Sequence, residues 1–391
     1  MRLSLVWLIV VALLGCDAPV EHFEPNEVYA LTLAKTRDVE TISATDDVAR
    51  VVESLFGTPE HPKWPAEWID DSTAKSLIQV EHIEQAAGPV YSDRDGTNFG
   101  LYNKHCVTCH AVNGSGAGPA SVFQNPYPRD FRAGIFKWKS TERNAKPTRD
   151  DLAGLLHRGV PGTGMPSFAL IQETDANALI DYLIYLSVRG ETERKLLALA
   201  VDELGYDDAA GPPEEQFDIA EPTADNPIHH AVNSVLQSWL DAETRVVAVP
   251  EPIDRNRSSI DRGRDLFHGQ IANCAGCHGP GGNGSVPTLD YDDWSKEYSS
   301  RIGLTPSDRD AMKPFRDAGA LLPRQIRPRK LDEGVFRGGG QGATLYRQIS
   351  QGIAGTPMPG VKITDAPSPT GLTADQVWDL VHYVESLGNH D

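Results

Sequence analysis

The chain is short of cysteine, methionine and basic charge, and each scarcity excludes something. Five cysteines in 391 residues leave none for a disulfide framework. Cys16 closes an N-terminal apolar run, and Cys106, Cys109, Cys274 and Cys277 form two tight pairs. An exported protein of this size has disulfides open to it, so their absence outside the pairs marks the pairs as the place where thiols are used. Thirty-six basic residues face 55 acidic ones, a formal charge of −19. That balance excludes a nucleic-acid binder, whose affinity comes from cations neutralising phosphates. It describes a solvated acidic surface that can steer toward a basic partner. Long apolar runs are missing apart from Leu3 to Leu14, which is too short to span a bilayer as a helix. What remains is a chain 40% hydrophobic, long enough for about two or three domains.

The first apolar run follows Arg2 and suits the h-region of a signal peptide. It ends in Leu13-Leu14-Gly15-Cys16, which resembles a bacterial lipobox. That resemblance implies a signal peptide over residues 1–16, a lipid on Cys16, and a mature protein exported and tethered to a bacterial membrane, facing the periplasm or the cell exterior. The bland alternative is a plain signal peptide with a chance cysteine.

Residues 17–94 form an extension without a cysteine and with no chemistry to assign. Its clear element is a helix carrying Val48, Val51, Val52 and Leu55, ending at Gly57; Glu60 to Pro65 reads as coil. Residues 191–257 read as a linker: Gly205 to Pro227 is acidic and Pro-rich, and an amphipathic helix follows with Ile228, Val232, Val235, Leu236, Trp239 and Leu240 on one stripe. His229 and His230 near its start read as solvent-facing.

The rest is one module used twice. Leu152–Pro166 (LAGLLHRGVPGTGMP) aligns with Leu345–Pro359 (LYRQISQGIAGTPMP), and PRDFRAGIFK from Pro128 with PRKLDEGVFR from Pro328. An apolar helix follows each copy: Leu179, Ile180, Leu183 and Leu186 in one, Val377, Leu380, Val381 and Val384 in the other, the second opened by a Thr373/Gln376 capping box. A short helix precedes each cysteine pair, with Phe99 and Tyr102 in one copy and Leu266 and Phe267 in the other.

Cys106, Cys109 and His110 stand at i, i+3 and i+4, as do Cys274, Cys277 and His278, so a helical turn points each trio to one side. Two thiols so placed can form thioethers with the vinyl groups of a haem while the imidazole reaches its iron; CxxCH is the signature of c-type haem attachment. Zinc requires four ligands in one cluster and leaves both histidines and both GTxMP segments unexplained. A thioredoxin-like motif requires a βαβ pattern, which the helical order does not provide. The Gly338–Gly342 run lacks the Lys-Ser/Thr of a phosphate loop and reads as a turn. For a sixth iron ligand, Met165 and Met358 occupy equivalent positions framed by Gly, Thr and Pro, poor places for a mere gap filler. Met312, in a charged stretch, has no counterpart in the first copy. His105, His157, His268 and His382 lack repeat partners and read as ordinary surface or core histidines. His/Met ligation raises the iron's potential, which suits an electron carrier.

These residues resemble the class I c-type cytochromes in a tandem diheme form. The resemblance covers Asp95–Gly190 and Ser258–Gly388. It implies a mainly α protein: two cytochrome c-like domains (95–190 and 258–391), each with N- and C-terminal helices around a covalently bound haem, plus the extension. It also implies that a proline carbonyl, here Pro119 and Pro287, accepts a hydrogen bond from the proximal imidazole. Basic or Trp side chains then neutralise the haem propionates, with Arg129, Lys137, Trp138, Arg329 and Arg337 as candidates by repeat position; plain surface charge is the alternative. An insertion around Tyr291–Arg324 separates the second copy from the first and leaves open what shields the second haem edge.

The expected function is electron transfer through two covalently bound haems c, between redox proteins of a membrane-associated respiratory chain. A fixed subunit of a terminal oxidase, a nitric oxide reductase or an alternative quinol-oxidising complex is a second reading. A diheme peroxidase is a third; it needs an exchangeable distal position, which two matching methionine segments disfavour.

Overall fold

The computed structural model describes residues 22–213, 215–286 and 290–388; the apolar N-terminal run, Cys16 and Pro287 lie outside them. The extension supplies four helices: α1 (Glu27–Arg37), α2 (Ile42–Phe56), α3 (Ser72–Lys75) and α4 (Val80–Ala86). In α2, Val48, Val51, Val52 and Leu55 are buried as their spacing predicts, and the helix stops at Gly57, φ 73°. A two-stranded antiparallel ribbon follows, β1 (Tyr91–Ser92) and β2 (Asn98–Phe99), with Tyr91 stacked on Phe99 at 4.7 Å.

Phe99 therefore sits on a strand, not on the helix expected before the first cysteine pair. That helix, α5 (Leu101–His105), is a single short piece, followed by α6 (Val107–His110). Gly100, φ 67°, sets its start: a Cβ there would run into the Pro89 carbonyl. The first module continues through α7 (Arg149–Arg158), opened by a Thr148/Asp151 capping box, into α8 (Glu173–Asp202).

The helix α8 runs well past the boundary expected at Gly190. Its faces are buried on several sides, by α2 and α4 of the extension and by α9 (Pro227–Leu240) of the linker. Extension, first module and linker helix consequently share one hydrophobic core. Polar contacts within it are specific. Asp181, fully buried on α8, accepts from Gln79 N at 3.2 Å, lies 2.6 Å from His82 Nδ1 and pairs with Arg149. Tyr185 Oη donates to the Phe56 carbonyl at 2.6 Å. His229, expected at the surface, is buried on α9 with Nε2 2.9 Å from Asp70.

The second module has its own core. It comprises α10 (Arg257–His268), α11 (Ala275–His278), α12 (Asp293–Glu297), α13 (Lys313–Asp317), α14 (Gly342–Gln351) and α15 (Ala374–Leu387). The Thr373/Gln376 capping box forms, and α10 crosses α15 at Gly263, where any Cβ would collide with the Asp379 carbonyl. Phe267 meets Tyr383 edge-on at 5.2 Å, and in the first module Tyr102 meets Tyr182 at a tilt with ring centroids 4.9 Å apart. The insertion carries α12 and α13; it buries Met312 with Tyr298 and Phe315 and packs on Val28 and Leu31 of α1.

Candidate haem sites

Each cysteine pair lies on one helical turn. His110 N donates to the Cys106 carbonyl and His278 N to that of Cys274, both at 2.8 Å. All four cysteines are free thiols. Among the described residues no group of three His, Cys, Asp or Glu side chains is placed to hold a metal ion, so the two pairs are not gathered as zinc ligands would be.

The imidazoles are set alike. His110 Nδ1 donates to the Arg129 carbonyl at 3.0 Å, and His278 Nδ1 to the Arg329 carbonyl at 2.8 Å. Burial pushes the His110 pKa down to about 4 and lowers that of His278. Both rings are then neutral, with Nδ1 protonated and Nε2 left as a lone pair for a metal. His110 also stacks on Phe131 at 4.5 Å.

This corrects the acceptor expected at Pro119. Gly118 N donates to the Cys109 carbonyl at 3.2 Å and Ala120 N to that of Thr108 at 2.9 Å, which pins the Pro119 segment beside the cysteine turn. The chain then folds back: Gly116 N reaches the His110 carbonyl at 3.0 Å, and Phe131 N reaches that of Gly114 at 2.8 Å. That return brings the residue after Pro128 to the imidazole. The second module repeats it, with Gly284 N on the His278 carbonyl at 2.7 Å and Leu331 N on that of Gly282 at 2.6 Å.

The methionine turns share three hydrogen bonds. Val160 N donates to the Met165 carbonyl at 3.1 Å, Thr163 Oγ1 to that of Val160 at 2.8 Å, and Met165 N to Thr163 Oγ1 at 3.1 Å. In the second copy Ile353 N, Thr356 Oγ1 and Met358 N make the same three bonds at 3.2, 2.8 and 3.2 Å.

Residues 99–187 and 260–388 match the family model for cytochrome c, more than half of the chain. The chain belongs to the cytochrome c family. A c-type cytochrome binds its haem covalently, and the residues of this cytochrome fit that group: paired cysteines outside any disulfide, neutral imidazoles with Nε2 unprotonated, and a half-buried cation cluster in which two nitrogens are buried without a hydrogen-bond partner. No curated protein matches the chain. Among solved structures it is similar to a chain of the Kuenenia stuttgartiensis reducing HAO-like protein complex, with 23% identity and a TM-score of 0.46, covering 74% of this chain and 94% of that one.

The cation cluster gathers four of the basic side chains marked by the repeat. Arg129 Nη1 and Arg337 Nε are buried without a hydrogen-bond partner. Burial lowers the Arg129 pKa to about 10; it lowers that of Lys137 to about 8, with repulsion from Arg129 and Arg337 adding to the effect. Arg337 is lowered by burial and by Arg329. Against them stand Asp292, 3.6 Å from Lys137, and Glu333, 2.8 Å from Arg329. Trp138 packs on the Gly338 backbone instead.

Three contributors escaped the sequence. Asp292 and Trp294 come from the insertion, and the Arg129 guanidinium lies 3.9 Å over the Trp294 ring. The insertion thus covers cations of the first module, which answers where it packs. Arg143 donates to the Met358 and Thr356 carbonyls at 2.6 and 2.8 Å; with no repeat counterpart, it gave no signal. Three of the four histidines without repeat partners have side-chain contacts within the protein: His268 Nε2 lies 2.9 Å from the Pro280 carbonyl, His382 Nδ1 3.0 Å from Ser259 Oγ, and His105 meets the Phe168 ring at 5.7 Å. His157 is engaged through its backbone carbonyl, which accepts from Ser167 Oγ at 2.5 Å.

Proposed function

We propose that this cytochrome is an exported diheme electron-transfer protein with two His/Met-ligated haems, anchored by lipid on Cys16 and serving a membrane-associated respiratory chain. The observation that carries this reading is the duplication of a whole site: a neutral imidazole oriented by the carbonyl after the repeat proline, together with the same three-bond GTxMP turn, in both halves. Haem iron, when bound, supplies one-electron chemistry by alternating between ferrous and ferric states.

The chain's own residues do the rest. Cys106 with Cys109, and Cys274 with Cys277, would hold the haems as thioethers. His110 and His278 would supply Nε2 to the iron, and Met165 and Met358 would supply soft thioethers, which favour the ferrous state and would keep the potential high. Arg129, Lys137, Arg329 and Arg337 would supply positive charge for propionates, and the partial burial of the cluster makes its charge count for more. With both distal positions filled by methionine, the reading assigns the protein electron transfer and no turnover of its own. The acidic surface favours a basic redox partner. No helix among the described residues is long and apolar enough to cross a membrane, so in this reading Cys16 makes the attachment.

Hydrogen peroxide with a reduced donor is the direct test. A carrier consumes no peroxide in sustained turnover; steady consumption rejects the reading in favour of a diheme peroxidase. Co-purification from membranes with an oxidase in fixed ratio would make the protein a bound subunit instead of a mobile carrier.

A further inference from the structure

The two methionine turns are alike internally and differ in what holds them from outside. The first is packed from both sides: the Gln124 side chain fills the space where Gly164 would carry a Cβ, and Arg329 and Val335 of the second module lie against Gly162. The second is gripped by the other module. Arg143 Nη1 donates to the Met358 carbonyl at 2.6 Å and Nη2 to the Thr356 carbonyl at 2.8 Å, a fork on the C-terminal half of the turn. Gly352, φ 69°, leaves the guanidinium room to enter; a Cβ there would stand 2.5 Å from Nη1. With Ile353 N also on it at 3.2 Å, the Met358 carbonyl accepts two bonds.

Arg143 is itself held firmly. Ser140 N and Oγ donate to Asp151 of α7 at 2.9 and 3.0 Å, and Thr141 Oγ1 donates to the Lys146 carbonyl at 2.7 Å. Lys139 Nζ donates to the Glu142 and Ala145 carbonyls on either side of it. Val247 N donates to the Ser140 carbonyl at 3.0 Å, and Arg347 of α14 donates to the Val247 carbonyl at 3.0 Å. A planar guanidinium so fixed is pre-organised for two acceptors in a way a lysine is not.

We propose that Arg143 is a positioning residue for Met358, so that the first module sets the ligation strength and the potential of the second haem. The inference rests on Met358 being that haem's ligand. The fork fixes the backbone from which the thioether projects, and its positive charge beside the ligand favours ferrous over ferric iron. Removing it acts in one direction by both routes, lowering the second potential and loosening the methionine. The Met165 turn, which has no such fork, is unaffected.

The test uses the full-length holoprotein with both haems attached. In Arg143→Ala, one of two midpoint potentials falls, the other stays, and the methionine-to-iron charge-transfer absorption of the oxidised protein weakens by up to half. Arg143→Lys, which keeps the charge and loses the fork, lies between; if the alanine variant fails to fold, the lysine variant decides alone. In a Met358→Ala background Arg143→Lys weakens the charge-transfer absorption no further, because the ligand it positions is gone. Unchanged potentials and absorption in the variants overturn the proposal, as does an equal shift of both haems, which would signal a general loosening of the interface. If Met358→Ala alone leaves the absorption intact, the ligand assignment itself has failed, and that result is separate from the Arg143 comparison.

Discussion

At the scale of single residues, what surrounds two imidazoles decides the chemistry. Each keeps its Nδ1 proton on a backbone carbonyl, that of Arg129 or Arg329, and burial keeps each ring neutral. Nε2 is then free to serve as the ligand proposed for it. Replacing the cysteines of one pair, Cys106→Ala with Cys109→Ala, should lower the intact mass by one covalent haem and leave the other; loss of both or of neither contradicts independent sites. Met165→Ala or Met358→Ala should keep the covalent haem count. Either should lower one potential by on the order of 100 mV, a fraction of the ~0.8 V that axial ligation spans, and an unaltered redox titration for both rejects the ligands. The trios and the methionines were legible because they repeat. The carbonyl acceptor was not, since every residue has a carbonyl and only the fold-back through Gly114 and Gly116 selects Arg129 over Pro119.

Single positions decide how the helices of the second module meet. At Gly263, α10 and α15 approach too closely for a side chain, so Gly263→Val should cost about 1–3 kcal/mol by overpacking, read from denaturant unfolding of the holoprotein. One turn along α15, His382 is buried with Nδ1 3.0 Å from Ser259 Oγ. Burial holds its pKa below 6.5, Arg255 and Arg262 lower it further, and Asp379 opposes them. The unfolded chain therefore binds this proton at a higher pH than the native one. The contribution is intact above about pH 6.5 and is lost as the pH falls toward the native pKa. The thermal midpoint should drop between neutral and mildly acidic pH, and His382→Gln should flatten that drop; parallel profiles for the two proteins would contradict it. The same helix position in the first module is Asp181, which instead takes His82 and Arg149 from neighbouring elements. Periodicity made the apolar faces of α2, α9 and α15 readable. It did not reveal how far α8 continues, because its apolar stripe passes from one set of partners to another, nor that Phe99 pairs in a ribbon whose register is set by contacts on β1.

At the scale of the molecule, the first cytochrome module does not stand alone. Its long helix is buried by the extension and by the linker helix in one core, and the insertion of the second module lies over Arg129 and against Lys137. Composition could place the acidic Pro-rich loop between the modules but not these contacts, which join segments far apart in sequence through Asp181, Trp294 and Arg143. The proposed attachment to a membrane belongs to this scale as well. Cys16→Ala should move the protein from the membrane fraction to the soluble one with both haems still bound; retention on the membrane contradicts a lipid anchor at that residue.

The central claim is that each half of the chain holds one haem between a histidine and a methionine. Near-infrared magnetic circular dichroism of the oxidised holoprotein reads the axial pair of each ferric haem directly. The account predicts two low-spin haems, both with the histidine–methionine signature, and a loss of half of that signal in Met165→Ala and in Met358→Ala alike. A high-spin haem, or a bis-histidine signature at either site, would contradict it.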